Sequence, residues 1–187
     1  MATVLVPLAT GFEEIEAVNL INIMRRGGID VDIAYLGGEF TSDLVTGANG
    51  IVVQAQIDIN LVSSDDYDMI VLPGGHEGTN RLAANNRVQE LLKEFKLKDK
   101  WIGAICAAPF ALHKAGVLNH NYTCYPSTQD KIRYEGYTDK EKVVTDGKVM
   151  TSRGPGTAIC FGLEIIKTLV GNETYEGVKK GTLSDFC

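Results

Sequence analysis

Ile102-Gly-Ala-Ile-Cys106-Ala-Ala-Pro109 runs from an apolar segment of strand length straight into helix-forming residues, with a cysteine at the corner. A corner of this kind aims backbone N–H groups and a helix N-terminus at the sulfur, and both favour thiolate over thiol. The plain alternative is that Cys106 is a small buried hydrophobe. Trp101 to Ile105 reads as the strand that delivers the cysteine. Pro109 to Ala115 reads as the helix that follows, with Pro109 in the first turn, where its missing N–H costs little.

The same alternation extends outward in both directions. Val4 to Leu8 is an apolar run, and Glu13 to Arg26 carries Ile15, Val18, Ile21 and Met24 at helical spacing until Gly27-Gly28 stops it. Asp30 to Leu36 predicts a second strand, Phe40 to Ile57 an inserted hairpin, and Tyr67 to Leu72 a buried strand ending at Pro73-Gly74-Gly75. Arg81 to Phe95 predicts one helix with Leu82, Val88, Leu91, Leu92 and Phe95 on its apolar face. Val143 to Ser152 reads as a hairpin or strand around Asp146-Gly147, Pro155 to Val170 as a long helix, and the segment from Asn172 as a short one. Strands alternating with helices imply a mostly parallel sheet covered on both faces, with residues 1–187 forming one domain. Ligands of such sheets bind outside the carboxyl ends of the strands. The segments Ala9 to Glu16, Leu72 to Gly78, Cys106 to Ala108 and Thr151 to Thr157 are therefore expected to meet there.

Composition narrows the function. The chain of 187 residues is 44% hydrophobic, with 18 basic and 24 acidic residues giving a formal charge of -6. Without a basic cluster beyond Arg25-Arg26 and Lys179-Lys180, no nucleic-acid partner is expected. The N-terminus reads as a first strand and no apolar run is long enough to span a bilayer, so no membrane partner is expected. The four cysteines, at 106, 124, 160 and 187, show no C-x-x-C spacing and are expected to be reduced thiols of a cytoplasmic protein. No metal-ligand spacing and no phosphate-binding glycine motif occurs, so neither a metal nor a cofactor is expected.

A nucleophilic thiol needs an acid–base partner and donors for the oxyanion that it creates. Gly75 and Ala107 can supply backbone donors. His76 is the nearest of three histidines in sequence terms, but reads as a loop residue facing solvent. Glu16 has two readings: a solvated helix-start glutamate that complements the dipole, or a carboxylic acid held neutral by apolar surroundings that donates to a thiolate. Glu13 and Glu14 take the ordinary dipole role.

Glu13-Glu-Ile-Glu-Ala-Val18, Val71-Leu-Pro-Gly-Gly75, Ala104-Ile-Cys-Ala-Ala-Pro109 and Thr151-Ser-Arg-Gly-Pro-Gly-Thr157 together resemble the ThiJ/PfpI superfamily, in the branch of the parkinsonism-associated protein deglycase and bacterial YajL. The resemblance covers about Val4 to Val170. It implies a flavodoxin-like three-layer α/β/α sandwich with a mostly parallel sheet, and a homodimer. It implies Cys106 as the oxidisable nucleophile, Glu16 as the protonated glutamate bonded to it, and Gly75 and Ala107 as oxyanion-hole amides. Gly74, His76, Arg26, Tyr125, Ser152, Arg153 and Pro155 fall near the pocket or the dimer interface. Tyr125 stands where some relatives have histidine, and Ala107 where protease-like members have one.

Without a Cys–His pair, peptidase activity is not expected. The expected activity is cofactor-free glyoxalase or deglycase chemistry on a small aldehyde or a glycated substrate. The alternative is an oxidative-stress sensor and redox-regulated chaperone for unfolded proteins. The thiazole-biosynthesis label carried by some relatives has no support in these residues.

Overall fold

The computed structural model describes residues 1–37 and 42–187. Strands β1 (Thr3–Leu8), β2 (Asp30–Tyr35), β5 (Ile57–Asp58), β6 (Met69–Leu72), β7 (Trp101–Ile105), β8 (Val143–Asp146) and β9 (Val149–Ser152) form one sheet in the order β5-β2-β1-β6-β7-β9-β8. Every pairing is parallel except β8 with β9. Strands β3 (Leu44–Thr46) and β4 (Val52–Gln54) make the separate hairpin. Phe40, where the sequence reading begins that hairpin, lies outside the described residues.

The strands are uninterrupted apolar runs because both faces are covered. Side chains alternate across the sheet. Val4, Val6, Leu8, Met69, Val71 and Ile105 pack toward helices α1 (Glu14–Arg26), α5 (Ala158–Leu169) and α6 (Asn172–Gly181). Leu5, Ile70, Leu72, Ile102 and Ala104 pack toward α2 (His76–Ala84), α3 (Asn86–Leu97) and α4 (Pro109–Ala115). Helices α1 and α5 approach closely at Gly162, where a Cβ would lie 2.9 Å from Ile23 Cγ2. The chain runs outward from β1 to β2 on one side and from β6 to β7 on the other. The crevice for a ligand therefore opens at the carboxyl ends of β1 and β6.

Four sequence expectations change. The stretch read as one helix is two, because Asn85 adopts an extended conformation and its side chain accepts a hydrogen bond from Val88 N–H, capping a new helix. Residues 155–157 form a 3₁₀ turn ahead of α5, so the long helix starts at Ala158. On α1, Ile15 and Val18 are 54% and 46% exposed, while Glu16, Ala17, Leu20, Ile23 and Met24 are buried. Of the stripe that spacing suggested, Ile21 and Met24 therefore face inward, whereas Ile15 and Val18 in the first turns face outward. Finally, Cys160 and Cys187 form a disulfide that ties the C-terminal residue to α5, whereas Cys106 and Cys124 are free. Among the described residues no helix is long and apolar enough to cross a membrane.

A cross-link closing 27 residues restricts the unfolded chain by about 3.5 kcal/mol. Reductant is therefore expected to lower the melting temperature by roughly 7–14 °C, read by circular dichroism. Cys187→Ser should melt like the reduced wild type and ignore reductant; equal melting of oxidised and reduced wild type would mean that the bond does not form in solution.

Candidate active site

Four loops converge at the carboxyl end of the sheet, and their backbones bond directly to one another. Glu13 N–H donates to Gly74 O at 2.9 Å, Gly78 N–H to Gly11 O at 3.2 Å, Cys106 N–H to Ser152 O at 3.0 Å, and Tyr125 N–H to Cys106 O at 2.8 Å. Gly75 has φ 94° and its Cβ would fall 2.3 Å from Gly11 O, so glycine is required where these loops touch.

Cys106 directly follows β7 at φ 63° and is 8% exposed. For a non-glycine residue this left-handed conformation costs about 1–3 kcal/mol. Its two backbone bonds, to Ser152 and Tyr125, hold it there. Below the sulfur lies Glu16, fully buried near the start of α1. Its Oε2 accepts from Gly74 N–H at 2.7 Å, while Oε1 has no hydrogen-bond partner among the described residues. Gly74 keeps the two reactive groups close: a Cβ there would lie 2.6 Å from both Cys106 Cβ and Glu16 Oε2.

Burial raises the Glu16 pKa to about 7, against smaller lowering by the neighbouring Cys106 thiol and the Gly74 N–H. Burial also pushes the Cys106 thiol up, and the Glu16 carboxylate adds to it, while the Gly75 and Ala107 N–H groups pull the other way. The sequence expectation that backbone N–H groups and the helix N-terminus favour thiolate is thus corrected: burial, joined by the Glu16 carboxylate, outweighs the two amides. The site tolerates one negative charge and not two, so the two groups titrate as a pair. With the proton on Glu16, its opposing charge disappears and the two amides face the sulfur anion.

The remaining expected residues fall into three places. His76 opens α2 directly after Gly75, and its ring meets the edge of Tyr125 at 6.3 Å between centroids, both side chains being exposed. Ser152 is buried, with its hydroxyl donating to Lys142 O at 2.7 Å and 2.7 Å from Thr157 Oγ1. Pro155 begins the 3₁₀ turn beyond it, and Arg153 turns toward Tyr137 and Cys124. Arg26 is not brought to the cysteine. It lies ten residues beyond Glu16 at the far end of α1, about 15 Å along the helix axis, with its Nε donating to Asn22 Oδ1 at 2.8 Å.

Two residues escaped the sequence reading. Glu14 is buried and grips the β3–β4 turn: Oε1 accepts from Asn49 N–H at 2.6 Å and Oε2 from Asn49 Nδ2 at 3.0 Å. Only Glu13 fills the ordinary role, capping α1 at Ile15 N–H. Thr79 is 2% exposed, its hydroxyl has no partner among the described residues, and it lines a small cavity with His76 and Ala107. A threonine inside a helix gives no sequence signal of such a position. Among the described residues no cluster of His, Cys, Asp and Glu is arranged to hold a metal ion.

The DJ-1/PfpI family model matches residues 2–168. Protein dj-1beta of Drosophila melanogaster is 39% identical over 181 residues, 96% of this chain and 95% of that protein, and its crystal structure matches with a TM-score of 0.91 over 97% of each chain. The glutathione-independent glyoxalase DJ-1 of Schizosaccharomyces pombe is 33% identical over 96% of this chain and 97% of that protein. The structure of oxidized Toxoplasma gondii DJ-1 is 33% identical, with a TM-score of 0.92 over 98% of each chain. The sequence match across nearly the whole chain and the shared fold place this chain in the DJ-1/PfpI family.

Proposed function

We propose that the chain is a cofactor-independent enzyme of glyoxalase or deglycase type, converting a reactive dicarbonyl such as methylglyoxal to a hydroxy acid. The observation that carries this reading is the buried Glu16 carboxyl set against the Cys106 thiol beneath two backbone donors. The similarity to the glutathione-independent glyoxalase of fission yeast supports it.

In this reading Cys106 Sγ adds to the aldehyde carbon, giving a hemithioacetal whose oxygen is met by Gly75 and Ala107 N–H. Glu16 then removes the proton from that carbon and returns it to the neighbouring carbonyl carbon, while the hemithioacetal hydroxyl proton passes to the neighbouring oxygen, leaving a 2-hydroxy thioester at Cys106. Water cleaves the thioester, releasing hydroxy acid and thiol. A carboxyl with a pKa near 7 suits both directions of proton transfer. The same addition on a glycated side chain would be deglycase chemistry.

The exposed apolar face of α1, with Ile15 and Val18, continues onto Ile51 and Val52 of the hairpin, because Glu14 ties that turn to the helix. This supports a homodimer joined through α1 and the hairpin. Sedimentation should give twice the chain mass, and Val18→Asp should shift it toward monomer.

Lactate formation from methylglyoxal in buffer free of thiol and amine is expected from reduced wild type and should fall at least about 100-fold in Cys106→Ser and in Glu16→Gln. No turnover by reduced wild type would leave Cys106 as a peroxide-sensing thiol.

Glu16 also shapes stability. Its pKa is raised on folding, so from about pH 4.5 to 7 the native state holds a proton that the unfolded chain releases, and stability falls as pH rises. Glu16→Gln should flatten that slope, worth up to about 3 kcal/mol across the window, in denaturant titrations at several pH values. An unchanged slope would mean that Glu16 is ionised in the native protein.

A further inference from the structure

The proposed reaction needs a second base. Resting on that reading, the thioester at Cys106 must be hydrolysed, and the attacking water has to come from the solvent side of the sulfur. Glu16 is fully buried beneath it, with one oxygen held by Gly74 N–H.

On the open side three residues that bear on Cys106 surround one imidazole. His76 follows Gly75, whose N–H faces the sulfur. Its ring lies against Tyr125, whose N–H is bonded to Cys106 O. It also shares a small cavity with Ala107, the other oxyanion donor. Thr79 lines the same cavity, and its hydroxyl is buried and has no hydrogen-bond partner among the described residues. A buried hydroxyl of this kind calls for a polar partner, and a water molecule meets the need. Imidazole is the side chain best suited to accept a proton near neutral pH.

We infer that His76 is the general base for thioester hydrolysis and that Thr79 positions the water between it and the acyl carbon. The water oxygen bonds to the acyl carbon as one of its protons passes to the imidazole. The carbon–sulfur bond then breaks, the thiolate leaves, and the proton returns from the imidazolium through solvent to the Glu16–Cys106 pair. Isomerisation and hydrolysis thus use different bases on opposite sides of one sulfur.

The test uses purified full-length wild type, His76→Asn and Thr79→Val with methylglyoxal, read by steady-state lactate formation and by intact-protein mass spectrometry of quenched samples. The expected result for His76→Asn is a kcat lower by about 100-fold, a KM lower in proportion, an almost unchanged kcat/KM, and one lactoyl group accumulating on Cys106. Thr79→Val should show the same pattern more weakly. A merely structural loss would lower kcat/KM and trap nothing. Wild-type kcat in His76→Asn, or parallel loss of kcat and kcat/KM without an adduct, would overturn the assignment while leaving the glyoxalase reading intact. Wild type that forms neither lactate nor adduct would overturn both.

Discussion

The left-handed backbone of Cys106 is the constraint on which the site depends. A cysteine does not hold φ 63° unaided, and two bonds from other loops, Cys106 N–H to Ser152 O and Tyr125 N–H to Cys106 O, impose it. The first of these bonds extends the pairing of β7 with β9 by one step past the strand end, and the second ties the corner to the segment after α4. The sheet itself therefore aims the thiol, and Gly74 and Gly75 leave room for the result. Preorganisation of this kind places the donors before any substrate arrives.

Charge is the second constraint. A carboxyl and a thiol share a buried site with room for one negative charge, and what decides which group carries it is the balance between burial and the two amides. Without a substrate the pair is held back from full ionisation. An incoming carbonyl converts the sulfur from a charge to be solvated into a bond, and leaves the carboxyl free to move protons. The chemistry proposed here follows from that redistribution and needs no other ionisable group at the bottom of the cleft.

Much of the fold was legible because buried parallel strands read as continuous apolar runs, and Met69 to Leu72 and Trp101 to Ile105 do so plainly. Cys106 could be picked out because strand and helix signals abut there. The misreadings share a cause: one-dimensional spacing does not say which neighbour an element meets. Ile15 and Val18 kept helical spacing but face outward, because Glu16 must face the thiol on the opposite side. Asn85 looked like one polar residue in a helix, yet its side chain suits a cap. Cys160 and Cys187 carry no motif, and only the return of the C-terminus to α5 brings them together. Arg26, expected near the pocket or the dimer interface, lies at the end of α1 remote from Glu16.

The run Glu13-Glu-Ile-Glu16 carries three unlike duties within four residues: Glu13 caps the helix, Glu14 anchors the hairpin turn, and Glu16 serves the thiol. Each duty is assigned by angle around the helix, with successive residues 100° apart. The chemical identity of the three is the same, so their meaning lies wholly in phase. Deleting or inserting one residue between Gly11 and Glu16 would leave composition and helix propensity almost untouched, yet it would rotate the carboxylates out of step with all their partners at once. The segment is thus far less tolerant of length change than its repetitive, acidic sequence suggests, and hairpin, helix start and reactive centre stand or fall on a single register.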